Sequence, residues 1–348
     1  MKPAAECKDG SCQRRLAAAA MMGLLSVSMA CRLGLKGGTM KPETYETTLA
    51  EVRVVPSPEG YYDYPTWWDG WIAVQHEPKN SMASVSSTRI WRLRTDGTEF
   101  EMIDLPSHPS CGPDGLNGFL APSTLADGRL GYAVDCSPKG DPFGARTNMM
   151  VYNTAGEVEN MLNYPLPSVY VGTGGYTWNP EMTRMIMGDG HRYIEEQLFW
   201  FTRDGWQPLD VGLAQAYGPS WSPDGKQIAF IGSRGRGSPM ASSEYNLYLM
   251  DADGTNVHAL ASGFLDAVGV SWSPDGRWLA FSAAPEGQRG LWLVDPTTGK
   301  MRLIAEGSFD VPRWSPDGQE ILTVQFEPAA DPPKDRVVIV EVGPVLSD

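Results

Sequence analysis

Chemistry in this sequence of 348 residues would begin with three imidazoles and a small set of acids and tyrosines. His76, His108 and His191 each sit at the edge of a polar, loop-like stretch. Imidazole is the commonest metal ligand, and three on neighbouring loops would suit a metal-dependent lyase or hydrolase. Their spacing follows no metal motif, so no metal site is assigned. Asp63, Tyr217 and Asp310 form a second set, and Tyr62 and Tyr64 flank Asp63. Acids and phenols together can hold a cation or a basic peptide. Arg234 and Arg236, in Ser233-Arg-Gly-Arg-Gly-Ser238, make the one basic, flexible loop, which would meet an acidic partner. Asp251-Ala-Asp-Gly-Thr-Asn256 looks like a calcium loop, but its Gly comes two positions too early for an EF-hand, and a turn explains it. His258 reads as structural. The sequence has no Gly-x-Ser-x-Gly elbow and no local Ser/His/Asp pattern.

The elements that must position these residues come from a repeat. Ser-Trp-Ser-Pro-Asp-Gly occurs at Ser220 to Gly225 and at Ser271 to Gly276, and Arg-Trp-Ser-Pro-Asp-Gly at Arg313 to Gly318. An apolar run follows each copy. Pro presets φ, Asp bonds its own backbone and Gly takes the positive-φ position, so each copy is a hairpin turn between two strands. Weaker copies surround Trp67, Thr124 and Trp178. The Trp slot therefore recurs at 67, 124, 178, 221, 272 and 314, a period of 42 to 57 residues. A second hairpin recurs between slots, for example Leu247-Tyr-Leu-Met-Asp-Ala-Asp-Gly254. Four strands per unit and six units predict an all-β, six-bladed β-propeller. The sixth unit lacks its last strand. Thr48 to Val55, alternating like a strand without a sequence neighbour, is expected to supply it and close the ring. Counting back four residues from the Trp places Asp63, Tyr217 and Asp310 on innermost strands, at the mouth of a central channel. Long variable loops gather on the face opposite the Asp-Gly turns, and His76, His108, His191, Arg234 and Arg236 fall there.

Bulk properties narrow the partners. Net charge is −14, which argues against nucleic acid. Residues 1–31 read as a targeting segment: Lys2, Lys8, Arg14 and Arg15 precede an apolar stretch that ends Val27-Ser-Met-Ala-Cys31. A small residue before Cys at that point resembles a bacterial lipobox, with Cys31 as the lipidated residue. Residues 32–46 read as a tether and 47–348 as one domain. Cys7 and Cys12 leave with the leader, so Cys111 and Cys136 remain as an even pair in an exported chain, a candidate disulfide.

The Trp-Ser-Pro-Asp-Gly copies and the Leu-Tyr-Leu-Met-Asp-Ala-Asp-Gly hairpin resemble the TolB-like, WD40-like β-propeller repeat, over roughly residues 48 to 345. The resemblance is to the propeller alone, because only a short tether stands where TolB carries another domain. A Tol–Pal role does not carry over from it; taken with the leader and the long-loop face, the expected protein is a non-catalytic, lipid-anchored and monomeric propeller of the bacterial cell envelope that binds a protein, peptide or glycan through that face. No cofactor is expected beyond a cation in the channel. The alternative is a metal-dependent polysaccharide lyase or hydrolase with its site at the channel.

Overall fold

The computed structural model describes residues 45–78, 88–106, 108–111, 116–137, 146–153, 155–166, 175–188, 197–235, 244–327 and 334–346. The fold is all-β. Among the described residues the helical parts are one 3-10 turn, Pro109–Cys111, and one short helix, Gly343–Leu346. The described chain begins with β1 (Glu46–Thr47) and β2 (Glu51–Val54). A first antiparallel sheet follows: β3 (Gly60–Trp68), β4 (Trp71–Pro78), β5 (Arg89–Leu93) and β6 (Glu101–Met102). The second is β7 (Leu116–Thr124), β8 (Leu130–Ser137), β9 (Arg146–Tyr152) and β10 (Val158–Asn160). The third is β11 (Tyr176–Trp178), β12 (Met185–Gly188), β13 (Leu198–Thr202) and β14 (Gly205–Leu209). The fourth is β15 (Gln215–Trp221), β16 (Gln227–Ser233), β17 (Tyr245–Asp251) and the first half of β18 (His258–Trp272). The second half of β18 opens a fifth, with β19 (Leu279–Pro285), β20 (Gly290–Val294) and β21 (Met301–Glu306). The last unit has β22 (Ser308–Phe309) and β23 (Arg313–Trp314) on one edge, then β24 (Glu320–Glu327) and β25 (Lys334–Glu341).

The expected pairing of the chain ends is present. β2 runs antiparallel to β25, Glu51 opposite Glu341 and Val54 opposite Val338. β1 was not expected. It lies parallel on the free edge of β21, with Glu46 opposite Arg302. Tyr45, on the tether side of the boundary read from sequence, already sets its ring edge-on to Trp292 at 4.7 Å and donates to Gln288 Oε1 at 2.5 Å. One short segment thus covers the outer edges of two sheets, which removes templates for unwanted strand pairing.

The turn phrase works as its residue types dictate. In all three strong copies the Ser hydroxyl donates to the Asp two residues on, at 2.6 to 2.7 Å. The same hydroxyl accepts backbone N–H groups of the second strand, for example Gln227 N at 2.9 Å. The Asp takes the N–H two residues further on, and Gly225, Gly276 and Gly318 hold φ near +70°.

Most inner strands are apolar on both faces because each sheet is packed on both sides. β19 and β20 are buried at every residue. The cores run in cyclic order. Ile90 and Leu105 of the first sheet meet Tyr132 and Val134 of the second. The second meets the third through Ala133 and Phe201, the third the fourth through Trp200 and Phe230, and the fourth the fifth through Leu249 and Phe281. Leu293 of the fifth meets Val340 of the last unit. Leu322 and Ile339 of that last unit then meet Tyr62 and Ile72 of the first sheet. At three slots the repeated Trp staples neighbours together. Trp272 Nε1 donates to Ser220 O at 3.2 Å, Trp314 Nε1 to Ser271 O at 3.1 Å and Trp67 Nε1 to Arg313 O at 3.1 Å. Each indole bonds the carbonyl just before the preceding unit's Trp, and Trp67 makes that bond from the first unit back to the last.

Candidate functional site: an acid, arginine and tyrosine cluster on the inner strands

The first strand is bulged just before its Trp slot in four units. Register shifts fall between Asp63 and Thr66, Leu120 and Ser123, Tyr217 and Ser220, and Val268 and Val270. The residue three before the slot has left-handed φ in five units: Tyr64 (52°), Ala121 (48°), Gly175 (58°), Gly218 (58°) and Gly269 (52°). A bulge re-aims side chains and tightens the approach of neighbouring backbones. A Cβ on Gly269 would lie 2.6 Å from Val311 Cγ2, and one on Gly218 would lie 3.4 Å from Gly269 Cα. The inner strands of the third, fourth, fifth and last units accordingly enclose a gap of only about 10 Å³, between Tyr176, Pro219, Val270 and Arg313 among others. That is room for one water at most. Glycine suits this conformation. Tyr64 does not, and holding it there costs about 1–2 kcal/mol.

Tyr64 belongs to a cluster. Asp63, Asp310 and Arg313 lie deep in the protein while each keeps part of its surface exposed. Burial, then the charges of Asp310, Asp335 and Glu77, push the Asp63 carboxyl up to about 8. Gln75 donates to Asp63 Oδ2 at 3.4 Å, and its own Oε1 accepts the Ala121 N–H at 3.0 Å. Burial also raises Asp310, opposed by the Val311 N–H and by Arg313. Burial lowers the Arg313 guanidinium, and Asp310, Tyr176 and Tyr64 work the other way. Burial and the two aspartates raise Tyr64 well above the ordinary phenol. Burial likewise raises Tyr176, whose hydroxyl donates to Ala121 O at 3.0 Å. Asp335, at the start of β25, is pushed to about 6, first by burial and then by Asp310, against a stabilising Tyr62 N–H. Three carboxyls thus act on one another in a low-dielectric setting, with the Arg313 guanidinium favouring the charge of Asp310. Like-charged acids so placed cannot all ionise without a further cation. Among the described residues no three His, Cys, Asp or Glu side chains are disposed to share a metal ion.

Sequence reasoning reached Asp63, Tyr64 and Asp310 and missed Arg313, Tyr176 and Asp335. The signal for two of these was inside the repeat. The residue before the slot is Thr66, Ser123, Thr177, Ser220 or Ser271 in five units and Arg313 in the sixth. The residue two before it is Pro65, Pro122, Pro219 or Pro312 in four units, Val270 in the fifth and Tyr176 in the third. The positions that break the repeat are the ones the fold gathers together.

The other candidates lie elsewhere. Tyr217 occupies the same slot as Asp63 and Asp310 but joins the core between the fourth and fifth sheets. Its hydroxyl donates to Ala267 O at 2.9 Å and its ring meets Tyr245 edge-on at 5.9 Å. His76 is not a loop residue. β4 continues to Pro78, so its alternation turns His76 inward, where it is 2% exposed, stacked on Tyr62 at 4.5 Å and edge-on to Trp91 and Phe100. Burial lowers its pKa. His108 lies far along the chain from that aromatic nest, with Nε2 3.0 Å from Asn160 Oδ1. The two imidazoles therefore do not converge on one point. Arg234 is exposed at the end of β16. His191, Arg236 and Cys31 lie outside the described residues, as do most of the long loops. Cys111 and Cys136 form a disulfide, with Cα atoms 5.0 Å apart.

No family model matches the chain. Over 80 residues it is 35% identical to the Tol-Pal system protein TolB of Francisella tularensis, covering 22% of this chain and 18% of that protein. Over 98 residues it is 33% identical to dipeptidyl-peptidase 5 of Porphyromonas gingivalis, covering 28% and 14%. The chain spans less than half the length of these relatives. Among solved structures, TolB from Acinetobacter baumannii aligns with a TM-score of 0.55 at 16% identity, over 79% of this chain and 64% of that one. The calcium-binding protein regucalcin from Agrobacterium tumefaciens aligns with a TM-score of 0.52 at 13% identity, over 86% and 97%. These likenesses support a TolB-like β-propeller; the structural ones bear on fold alone.

Proposed function

We propose that this chain is an exported, six-bladed propeller, lipid-anchored through Cys31, that binds a cationic group of an envelope protein or peptide at the acidic cluster and does not transform it. The observation that carries the reading is the imbalance at the cluster: the carboxyls of Asp63, Asp310 and Asp335 raise one another, while Arg313 offsets the charge of Asp310. An incoming ammonium or guanidinium would supply the missing charge, lower the Asp63 pKa and so displace the Asp63 proton to solvent. The cyclic order of cores and the Trp67 bond to Arg313 O support six blades closed on themselves. The leader and the likeness to TolB support the envelope. The rival reading, a metal-dependent lyase or hydrolase, needs the histidines together, and His76 sits in an aromatic nest apart from His108.

The test is calorimetry of the mature chain with trilysine, in buffers of differing ionisation heat. Trilysine binding should release a proton at pH 7, and affinity should rise by up to about tenfold per pH unit between 6 and 8. Asp310→Asn should weaken it. Equal binding of triglutamate, or binding without proton release, would refute the reading. For the anchor, Cys31→Ala should move the chain from membrane to soluble fractions with a loss of mass; an unchanged distribution and mass overturns it.

A further inference from the structure

The geometry points to a second ligand site, for a neutral saccharide, at the outer edge of the second sheet and the segment that follows it. A cleft of about 250 Å³ is lined there by His108, Asn148, Asn160, Asn163 and Tyr164, flanked by Leu162 and Pro165. Among the described residues its lining includes no carboxylate, lysine or arginine, on a chain of net charge −14. Each Asn amide offers a carbonyl acceptor beside an N–H₂ donor, the pair of functions that adjacent sugar hydroxyls require.

The amides are held in place. Asn160 Oδ1 lies 3.0 Å from His108 Nε2. Asn163 Nδ2 donates to Asp204 Oδ1 at 2.5 Å, and Arg203 Nε donates to Asn163 Oδ1 at 3.5 Å. Tyr164 donates to Thr202 O at 3.0 Å. Asn148 is buried on β9, with Nδ2 3.8 Å from Cys136 Sγ. The disulfide completes this support. Cys111 ends the 3-10 turn whose last N–H bonds His108 O at 2.9 Å, and its bond to Cys136 ties that turn to β8, the strand beside Asn148.

An aromatic surface faces the same way on the third sheet. Trp206 on β14 is 46% exposed, although it stacks near Phe201 (6.4 Å) and meets Phe199 edge-on (5.8 Å). Phe199, Phe201 and Tyr164 share the core between the second and third sheets, so Trp206 stands on the same side of its sheet as the cleft. Thr202, whose carbonyl fixes Tyr164, pairs with Gly205 next to Trp206. Orientated amides and an uncovered indole are the two things a sugar ring needs: partners for its hydroxyls and a flat face for its C–H groups. Among the described lining residues the recognition groups are neutral amides, an imidazole and a phenol, and the nearby charges of Arg203 and Asp204 are engaged with Asn163. The volume lies just under the roughly 300–1,000 Å³ of sites for larger ligands, which suits one ring with its neighbour over Trp206.

The full mature chain should be applied to a printed array of neutral and acidic oligosaccharides, with calorimetry on the best neutral glycan retained. Asn160→Ala and Trp206→Ala should each weaken that glycan at least tenfold, and Asp310→Asn should leave it unchanged. Should Asn160→Ala lower the melting temperature, the exposed Trp206 decides: Trp206→Phe should retain part of the affinity that Trp206→Ala loses. Retention of no neutral glycan, retention of acidic glycans only, or an affinity indifferent to both Trp206 substitutions overturns the proposal.

Discussion

Replacing Arg313 by serine would restore the hydroxyl residue that every other unit carries before its Trp slot, and it should nevertheless destabilise the protein. Arg313 favours the charge of Asp310, which in turn bears on Asp63 and Asp335. Removing one partner of a buried charge cluster costs about 3–5 kcal/mol, because the remaining charge stays desolvated. At about 2 °C per kcal/mol for a domain of this size, melting should fall by roughly 6–10 °C. The penalty has a pH signature. The carboxyls of Asp63 and Asp335 titrate near 8 and near 6 in the folded state, above the ordinary 3.8. A raised acid pKa means that the folded state holds the proton more tightly, so the contribution is fully present at low pH and lost as pH climbs through 6 and then 8. Without Arg313, Asp310 rises as well. The gap between variant and wild type should therefore be smaller at pH 5.5 than at pH 8. Urea unfolding followed by Trp fluorescence at both pH values measures it. Arg313→Met, which keeps most of the side-chain volume, should behave like Arg313→Ser, and adding Asp310→Asn should restore at least half of the loss. A penalty under about 1 kcal/mol, one indifferent to pH, or one that Asp310→Asn fails to relieve would refute the charge argument.

Three other outcomes follow from the geometry. Cys111→Ser should cost roughly 3 kcal/mol by opening a loop of 25-residue separation, seen as a melting shift that dithiothreitol reproduces in the wild type. Trp67→Phe should cost about 1 kcal/mol more than Trp178→Phe in chemical unfolding. Trp67 Nε1 bonds Arg313 O, whereas Trp178 Nε1 is buried without a protein partner, and equal costs would deny the staple. Gly269→Ala should cost roughly 2–4 kcal/mol, because its Cβ would meet Val311 and its φ of +52° disfavours a side chain; Val311→Ala should rescue part of this, and additivity of the two would show that they do not touch.

Much of the architecture was legible because the turn phrase states its own mechanism. Ser222, Asp224 and Gly225 make the bonds and φ value that their types dictate. The strand from Thr48 to Val55 had no sequence neighbour, and β2 does pair with β25. β1 was illegible because two residues carry no periodicity. His76 was misplaced by drawing the loop too early; β4 runs two residues past it. Within the site, the slot rule found Asp63 and Asp310 but included Tyr217, whose phenol is long enough to reach the Ala267 carbonyl of the next sheet. Asp335 escaped because it enters from β25, not from an inner strand, and no count from a Trp reaches it.

The departures from the repeat depend on one another. Asp63 and Asp310 on inner strands would be too costly together in a dry setting without a cation, and Arg313 alone would be an unpaired buried charge. Tyr64 takes a conformation that suits glycine and places its phenol against Asp63, Asp310 and Arg313. Tyr176 reaches the same guanidinium from a third unit and bonds Ala121 O of a second. A scaffold needing only its hairpins and Trp staples has no use for such a set, since Ser220, Ser271 and the glycines at 218 and 269 build the same strands without charge. Burial of mismatched charge costs stability at every pH where Asp63 is ionised. Its retention inside an otherwise regular repeat is explained if a ligand's positive charge completes it.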